Sequence, residues 1–220
     1  MKLNFIICCI ISFFACGCAQ SLDCKDGINK LPLYGNGKVK KCMEQIADDN
    51  QFIAECEKSP GRVAASKHII MRGWEYFYKN QLDTSMMRFN QAWLLDSLNA
   101  EVYWGIGNIL GKKKQFKESL PFFEKALKLD PDNSKIWADE SVSYGDIFSE
   151  TRDVKYLNLA ISLLKNAIKF DPKNPKWYGQ LTSAYSYFMQ KDSARKYMAI
   201  TDKIDPNAVN PEARKMINGE

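Results

Sequence analysis

The sequence predicts an all-α chain: a superhelical solenoid of antiparallel helix pairs behind a helical N-terminal segment. Three observations carry this. The pairs Asp130-Pro131, Asp171-Pro172 and Asp205-Pro206 recur in the same setting. Counting back from each, aromatic, small and bulky positions return in one order, with a period of about 34 residues. A period of that length fits two helices per unit. Units of this kind stack on their neighbours and present a long surface to a partner.

At the N-terminus, Lys2 precedes an apolar run from Phe5 to Ala15, too short to favour a membrane-spanning helix over a signal-peptide core. The run ends in Ala15-Cys16-Gly17-Cys18, which resembles a bacterial lipoprotein signal. That resemblance implies removal of residues 1–17 and acylation of Cys18, although Ala15 and Cys16 depart from the family's preferred residues. The alternative is ordinary cleavage, with Ala15-Cys16-Gly17 or Gly17-Cys18-Ala19 as the site. Either route implies export. The expected location is the bacterial cell envelope, lipid-anchored and facing the periplasm or the exterior, or else a soluble secreted or periplasmic state.

Export changes how the cysteines read. Cys24, Cys42 and Cys56 remain after processing, and an oxidising compartment permits one disulfide among them. Cys42 and Cys56 would stand about 21 Å apart along one helix. Cys24 with either partner is therefore expected. No CxxC and no zinc-type Cys/His spacing is present, and His68 is the single histidine, so neither a metal nor another cofactor is expected.

Residues 18–41, with Pro32, Gly35 and Gly37 in LPLYGNGKVKK, read as an extended tether. Residues 42–65 form a pre-repeat helical segment, in which Cys42, Met43, Ile46, Ile53 and Cys56 approach helical spacing before Ser59-Pro60-Gly61 breaks the chain. Four units follow, at 66–99, 100–133, 134–174 and 175–208. Asn210-Pro211 opens a C-terminal cap over residues 209–220.

Within the units, Gly73, Gly107, Ser141 and Thr182 hold the small position of the first helix, and Tyr76, Leu110, Tyr144 and Tyr185 the bulky one. Ser85, Ser119, Ala160 and Ala194 hold the small position of the second helix. Helices that cross closely need a residue with little side chain against a large partner. This register resembles the tetratricopeptide-repeat family over about two thirds of the chain. The run from Arg88 to Asp96, the stretch Tyr103–Gly107 and LPLYG also resemble exported bacterial proteins of that type. Ser97 replaces the closing Pro of the first unit, while Arg72 and Glu140 occupy positions that are usually apolar. The third unit carries seven extra residues between Tyr144 and Ala160, which predicts a longer turn or longer flanking helices.

The resemblance implies that the first helices line a concave groove. Mapped onto this chain, the partner-binding residues are Trp74, Tyr78, Trp104, Asn108, Lys112, Lys135, Asp139, Gln180 and Tyr187, with Asn108 matching the family's frequent groove Asn. Ile70 stands where a basic clamp for chaperone carboxylates needs a Lys, which disfavours that ligand. An aromatic and amide surface suits an extended peptide, and would also stack on sugars.

The net charge of +5 is spread over mixed acidic and basic residues, so no nucleic-acid footprint is expected. Lys112-Lys113-Lys114 reads as a polar inter-helix turn. No nucleophile elbow, phosphate loop or metal pair is present, and the chain is not expected to be an enzyme. The expected function is a protein- or peptide-binding scaffold, with a cell-wall glycan fragment as the alternative ligand. Oligomeric state is not legible.

Overall fold

The computed structural model describes residues 24–219. The leader, residues 1–17, and Cys18 lie outside them. Among the described residues there are ten α-helices and no strand. Helix α1 spans Met43–Lys58. Four antiparallel pairs follow: α2 (Arg62–Tyr78) with α3 (Leu82–Leu95), α4 (Ala100–Lys112) with α5 (Phe116–Leu129), α6 (Ser134–Thr151) with α7 (Val154–Phe170), and α8 (Pro175–Tyr187) with α9 (Lys191–Ile204). The closing helix α10 spans Pro211–Asn218.

Each junction between pairs repeats one device. Asn99, Asn133 and Asn174 cap α4, α6 and α8 by accepting the N–H of Glu101, Lys135 and Lys176. The amides of Asn133 and Asn174 also donate to Asp130 and Asp171. The Asp-Pro pairs thus stop one helix and hold the cap that starts the next.

The cores form where first-helix glycines admit second-helix rings. Phe89 is fully buried, and a Cβ on Gly73 or Gly105 would stand 3.0 or 2.2 Å from its ring. Phe123 meets Gly107 in the same way at 3.0 Å. Burying each ring contributes roughly 2–3 kcal/mol, and the glycines allow the close crossing that achieves it.

The seven extra residues of the third unit lengthen both helices. Helix α6 has 18 residues and α7 has 17, against 13 and 14 in the preceding pair. The turn between them is only Arg152-Asp153, with Arg152 left-handed and Asp153 capping α7. Helix α2 also begins a turn earlier than Ser66, at Arg62.

Residues 24–41 differ from the extended tether that the sequence predicts. They form a 3-10 turn, Ile28–Lys30, and a tight bend, Pro32–Gly35, in which Leu33 and Tyr34 are left-handed, both folded against α3. Ile28 and Tyr34 are buried, and a disulfide joins Cys24 to Cys42 at the start of α1. The physical reason lies in α3. The fully buried Asn90 donates to the carbonyls of Asn29 and Leu31 at 2.7 and 2.8 Å and accepts the N–H of Leu33 at 2.8 Å. The strap therefore satisfies a polar side chain that would otherwise be stranded in the core. Cys56 is the free thiol among the described residues.

At the other end, the 3-10 turn Pro206–Ala208 and α10 close the array. Arg214 grips Asp202 with two hydrogen bonds of 2.6 and 3.1 Å and also donates to the Pro206 carbonyl. Gly179 lets the Ala208 carbonyl press onto α8, since a Cβ there would stand 2.0 Å from that oxygen.

Candidate functional site

Helix α2 meets α4, and α4 meets α6, whereas α3 and α5 make at most marginal contact. The first helices of these three pairs therefore line the inner side of the curve, and the second helices splay outward. On this inner side Trp74 and Tyr78 share a face of α2, as Trp104 and Asn108 share a face of α4, each pair being four residues apart.

These side chains form one continuous patch. The rings of Trp74 and Trp104 lie 4.7 Å apart, and Trp74 stacks on Tyr78 at 6.1 Å. Trp74 also meets Phe77 and the buried Phe89 edge-on, at 5.5 and 5.3 Å. The base of the patch is thus fixed by the core of the first pair, while Tyr78 is 77% exposed at its rim. Lys112 places its ammonium 4.9 Å from the Phe77 ring centre.

Carboxylates hold the indoles. Trp74 donates to Glu101 at 3.2 Å, and Trp104 donates to Asp139 at 2.8 Å. Asn108 donates to the same Asp139 oxygen at 3.1 Å and to the Trp104 carbonyl at 3.0 Å. Burial pushes the Asp139 carboxyl above its ordinary range, against the bonds from Trp104 and Asn108 that favour its charge. Asp139 is an organiser of the patch: it fixes the tilt of Trp104 and the orientation of Asn108. The carbonyl oxygen of Asn108 accepts no bond among the described residues, which leaves it for a ligand donor.

The remaining sequence-predicted residues divide. Lys135 is exposed at the start of α6 and lines a shallow recess with Glu101 and Trp104. Gln180 and Tyr187 belong to a second cleft of about 450 Å³ between α6, α8 and the C-terminal cap, with Asp146, Ser183 and Asn207. The Gln180 side-chain oxygen is buried there without a partner among the described residues, and Tyr187 is 57% exposed. Burial, followed by the charge of Glu150, raises the Asp146 carboxyl above its ordinary range. Ile70, at the position where a basic clamp would need a Lys, is a core residue at 2% exposure, packed with Met86 and Phe89.

Residues 100–133 match the family model described as tetratricopeptide repeat. The fold is that of an all-α helical-repeat solenoid. This repeat architecture is similar to that of YrrB, a tetratricopeptide-repeat protein with an unusual peptide-binding site. YrrB is 20% identical over 76% of this chain and 80% of its own, with a TM-score of 0.57. It is also similar to a thermophilic tetratricopeptide-repeat protein of Thermus thermophilus. There the identity is 17% over 70% of this chain and 80% of that one, with a TM-score of 0.60. MamA from Desulfovibrio magneticus RS-1 is 14% identical over 72% of this chain and 94% of its own, with a TM-score of 0.54. No curated protein matches the chain.

Glu101, the partner of Trp74, is not among the residues that the sequence singles out. The usable signal was its place in the first turn of α4, 27 residues on, on the helix that stacks against α2. Asp139, which the resemblance places among the groove contacts, uses one carboxylate oxygen to accept from both Trp104 and Asn108.

Proposed function

We propose that this tetratricopeptide-repeat chain is a non-enzymatic scaffold that holds a protein or peptide partner on its inner face. The observation that carries the reading is the ladder Tyr78–Trp74–Trp104, continuous across two repeats and braced by Glu101 and Asp139. Rigid aromatic faces bury large area at low entropic cost, and the free Asn108 oxygen can accept a backbone N–H from an extended ligand. The peptide-binding site named for YrrB, a protein of similar fold, supports this class of ligand. The leader sequence and Cys18 support placement in the bacterial cell envelope by a lipid anchor.

The test uses Tyr78→Ala and Tyr187→Ala, both at exposed positions, with helical circular dichroism as the control for folding. Tyr78→Ala is expected to lose the partner recovered by crosslinking from the producing cell. Tyr187→Ala separates the second cleft from the ladder. Unchanged recovery by Tyr78→Ala would move the site elsewhere, and a bound glycan displaced from wild type by Tyr78→Ala would favour a cell-wall ligand. Replacing Cys18 by Ala is expected to release the protein from membranes, and continued pelleting with membranes would contradict the anchor.

A further inference from the structure

The outward splay of α3 and α5 opens a groove on the side of the solenoid opposite the ladder. The strap of residues 28–39 lies in this groove and fills only its α3 side. A cleft of about 1140 Å³ remains beside it. Its walls include Leu31, Leu33, Met86, Trp93, Leu110 and Phe122. The polar ends of the larger rings are satisfied internally: Trp93 donates to the Tyr103 hydroxyl at 3.2 Å, which donates to the Ser97 carbonyl at 2.8 Å. What faces the cleft is therefore mainly apolar surface.

The rim is basic. Lys30, Lys38, Lys113 and Lys125 line it against a single carboxylate, Glu118. Asp83 pairs with Lys113 at 2.7 Å and with Lys30 at 3.8 Å, which compensates part of the charge on that side. Lys38 and Lys125 make no ion pair among the described residues; Lys125 lies over the Tyr103 ring instead. An apolar floor between these ammonium groups complements an apolar side chain with carboxylates beside it.

The strap shows how such a groove is filled. Its Leu31 and Leu33 enter from a non-helical backbone, with Leu33 packed against the cores of both the first and second repeats. The cleft exceeds the roughly 300–1,000 Å³ that closes around a drug-sized molecule. A second length of chain running beside the strap suits it better than a lone small ligand.

We propose that this outer cleft is a second docking surface, which takes an extended segment of a partner protein bearing bulky apolar residues flanked by acidic ones. It is independent of the inner-face reading.

The test uses the full processed chain labelled with 5-fluorotryptophan. Its five tryptophans include Trp93 in the cleft and Trp74 and Trp104 on the ladder, so one fluorine spectrum reports both surfaces. The probes are synthetic peptides with a Leu-Phe-Leu core flanked by Glu, by Ser or by Lys. The Glu-flanked peptide is expected to shift the Trp93 resonance, to leave Trp74 and Trp104 in place, and to weaken as salt rises. Combined Lys38→Glu and Lys125→Glu is expected to reduce its affinity by about tenfold or more. These lysines are at the rim, so the fluorine spectrum of the unliganded variant should match wild type and certify its fold. Failure of all peptides to move Trp93 would overturn the proposal, as would equal binding of the Lys-flanked peptide. A Trp93 shift produced by sodium laurate but by no peptide would assign the cleft to a lipid instead. A shift that grows with protein concentration alone would assign it to a second copy of this chain. None of these failures touches the inner-face reading, which is reported by Trp74 and Trp104.

Discussion

Trp104 and Asp139 are joined by a 2.8 Å hydrogen bond across the boundary between the second and third repeats. The bond connects an aromatic of the inner-face patch to a carboxylate on the next repeat, so the candidate patch and the stacking of the repeats share one contact. Trp104→Phe keeps an aromatic ring and removes the donor, leaving Asp139 desolvated with Asn108 as its remaining side-chain donor. A loss of about 1–2 kcal/mol is expected in urea denaturation. Asp139→Asn retains an acceptor without the buried charge and is expected to cost less than Trp104→Phe. The reverse order would mean that Asp139 does not organise the patch.

Glu140 gives the fold a pH dependence. It is 4% exposed on α6, and burial, followed by the charge of Glu124, raises its carboxyl to about 7 from an ordinary 4.5. The folded state therefore holds this proton more tightly than the unfolded state. Its contribution is fully present below pH 4.5 and is lost as pH rises through about 7, a change on the order of 3 kcal/mol. Glu140→Gln is expected to match wild type in stability near about pH 4 and to exceed it above about pH 8. Denaturation curves across that range check the sign, and a wild type that gains stability relative to the variant with rising pH would refute it.

Glycine replacements separate close packing from helix propensity. A methyl on Gly105 would stand 2.2 Å from the fully buried Phe89 ring, whereas one on Gly145 meets nothing within 4 Å. Gly105→Ala is expected to destabilise by about 1–3 kcal/mol despite the better helix former. Gly145→Ala is expected to stabilise by about 0.5–1 kcal/mol. Thermal unfolding of the two variants reads the contrast directly.

The repeats were legible because their determinants are local and periodic. The small and bulky positions around Gly107 and Leu110 and the Asp-Pro stops all act within one unit or at its edge. The strap was not legible, because it depends on Asn90 meeting Asn29, Leu31 and Leu33 about sixty residues away, and Pro and Gly in LPLYGNG suggest an open chain when read locally. In the candidate site, Trp74, Tyr78, Trp104 and Asn108, which the family resemblance maps to the groove, do come together. Gln180 and Tyr187 separate from them because the lengthened α6 and α7 and the cap build their own cleft. Ile70, at the clamp position, turns its side chain into the Phe89 core.

Asn90 and the Cys24–Cys42 disulfide are expected to hold the strap together. Asn90→Ala leaves two carbonyls and one N–H without their partner and is expected to cost about 2–4 kcal/mol. Reduction of the disulfide, which links residues 18 apart, is expected to cost up to about 3 kcal/mol. Limited proteolysis should then cut within residues 24–41 first, with the repeats intact. Cleavage that starts in the repeats would contradict this order.

The most direct measurement of the inner-face site is photo-crosslinking in the intact producing cell, with benzoylphenylalanine replacing Tyr78 on α2 or Lys169 on α7. A discrete protein adduct is expected from position 78, absent from position 169 and lost when Trp104 and Asn108 are also replaced by Ala. No adduct at 78, or the same adduct from 169, would contradict a partner held on the inner face.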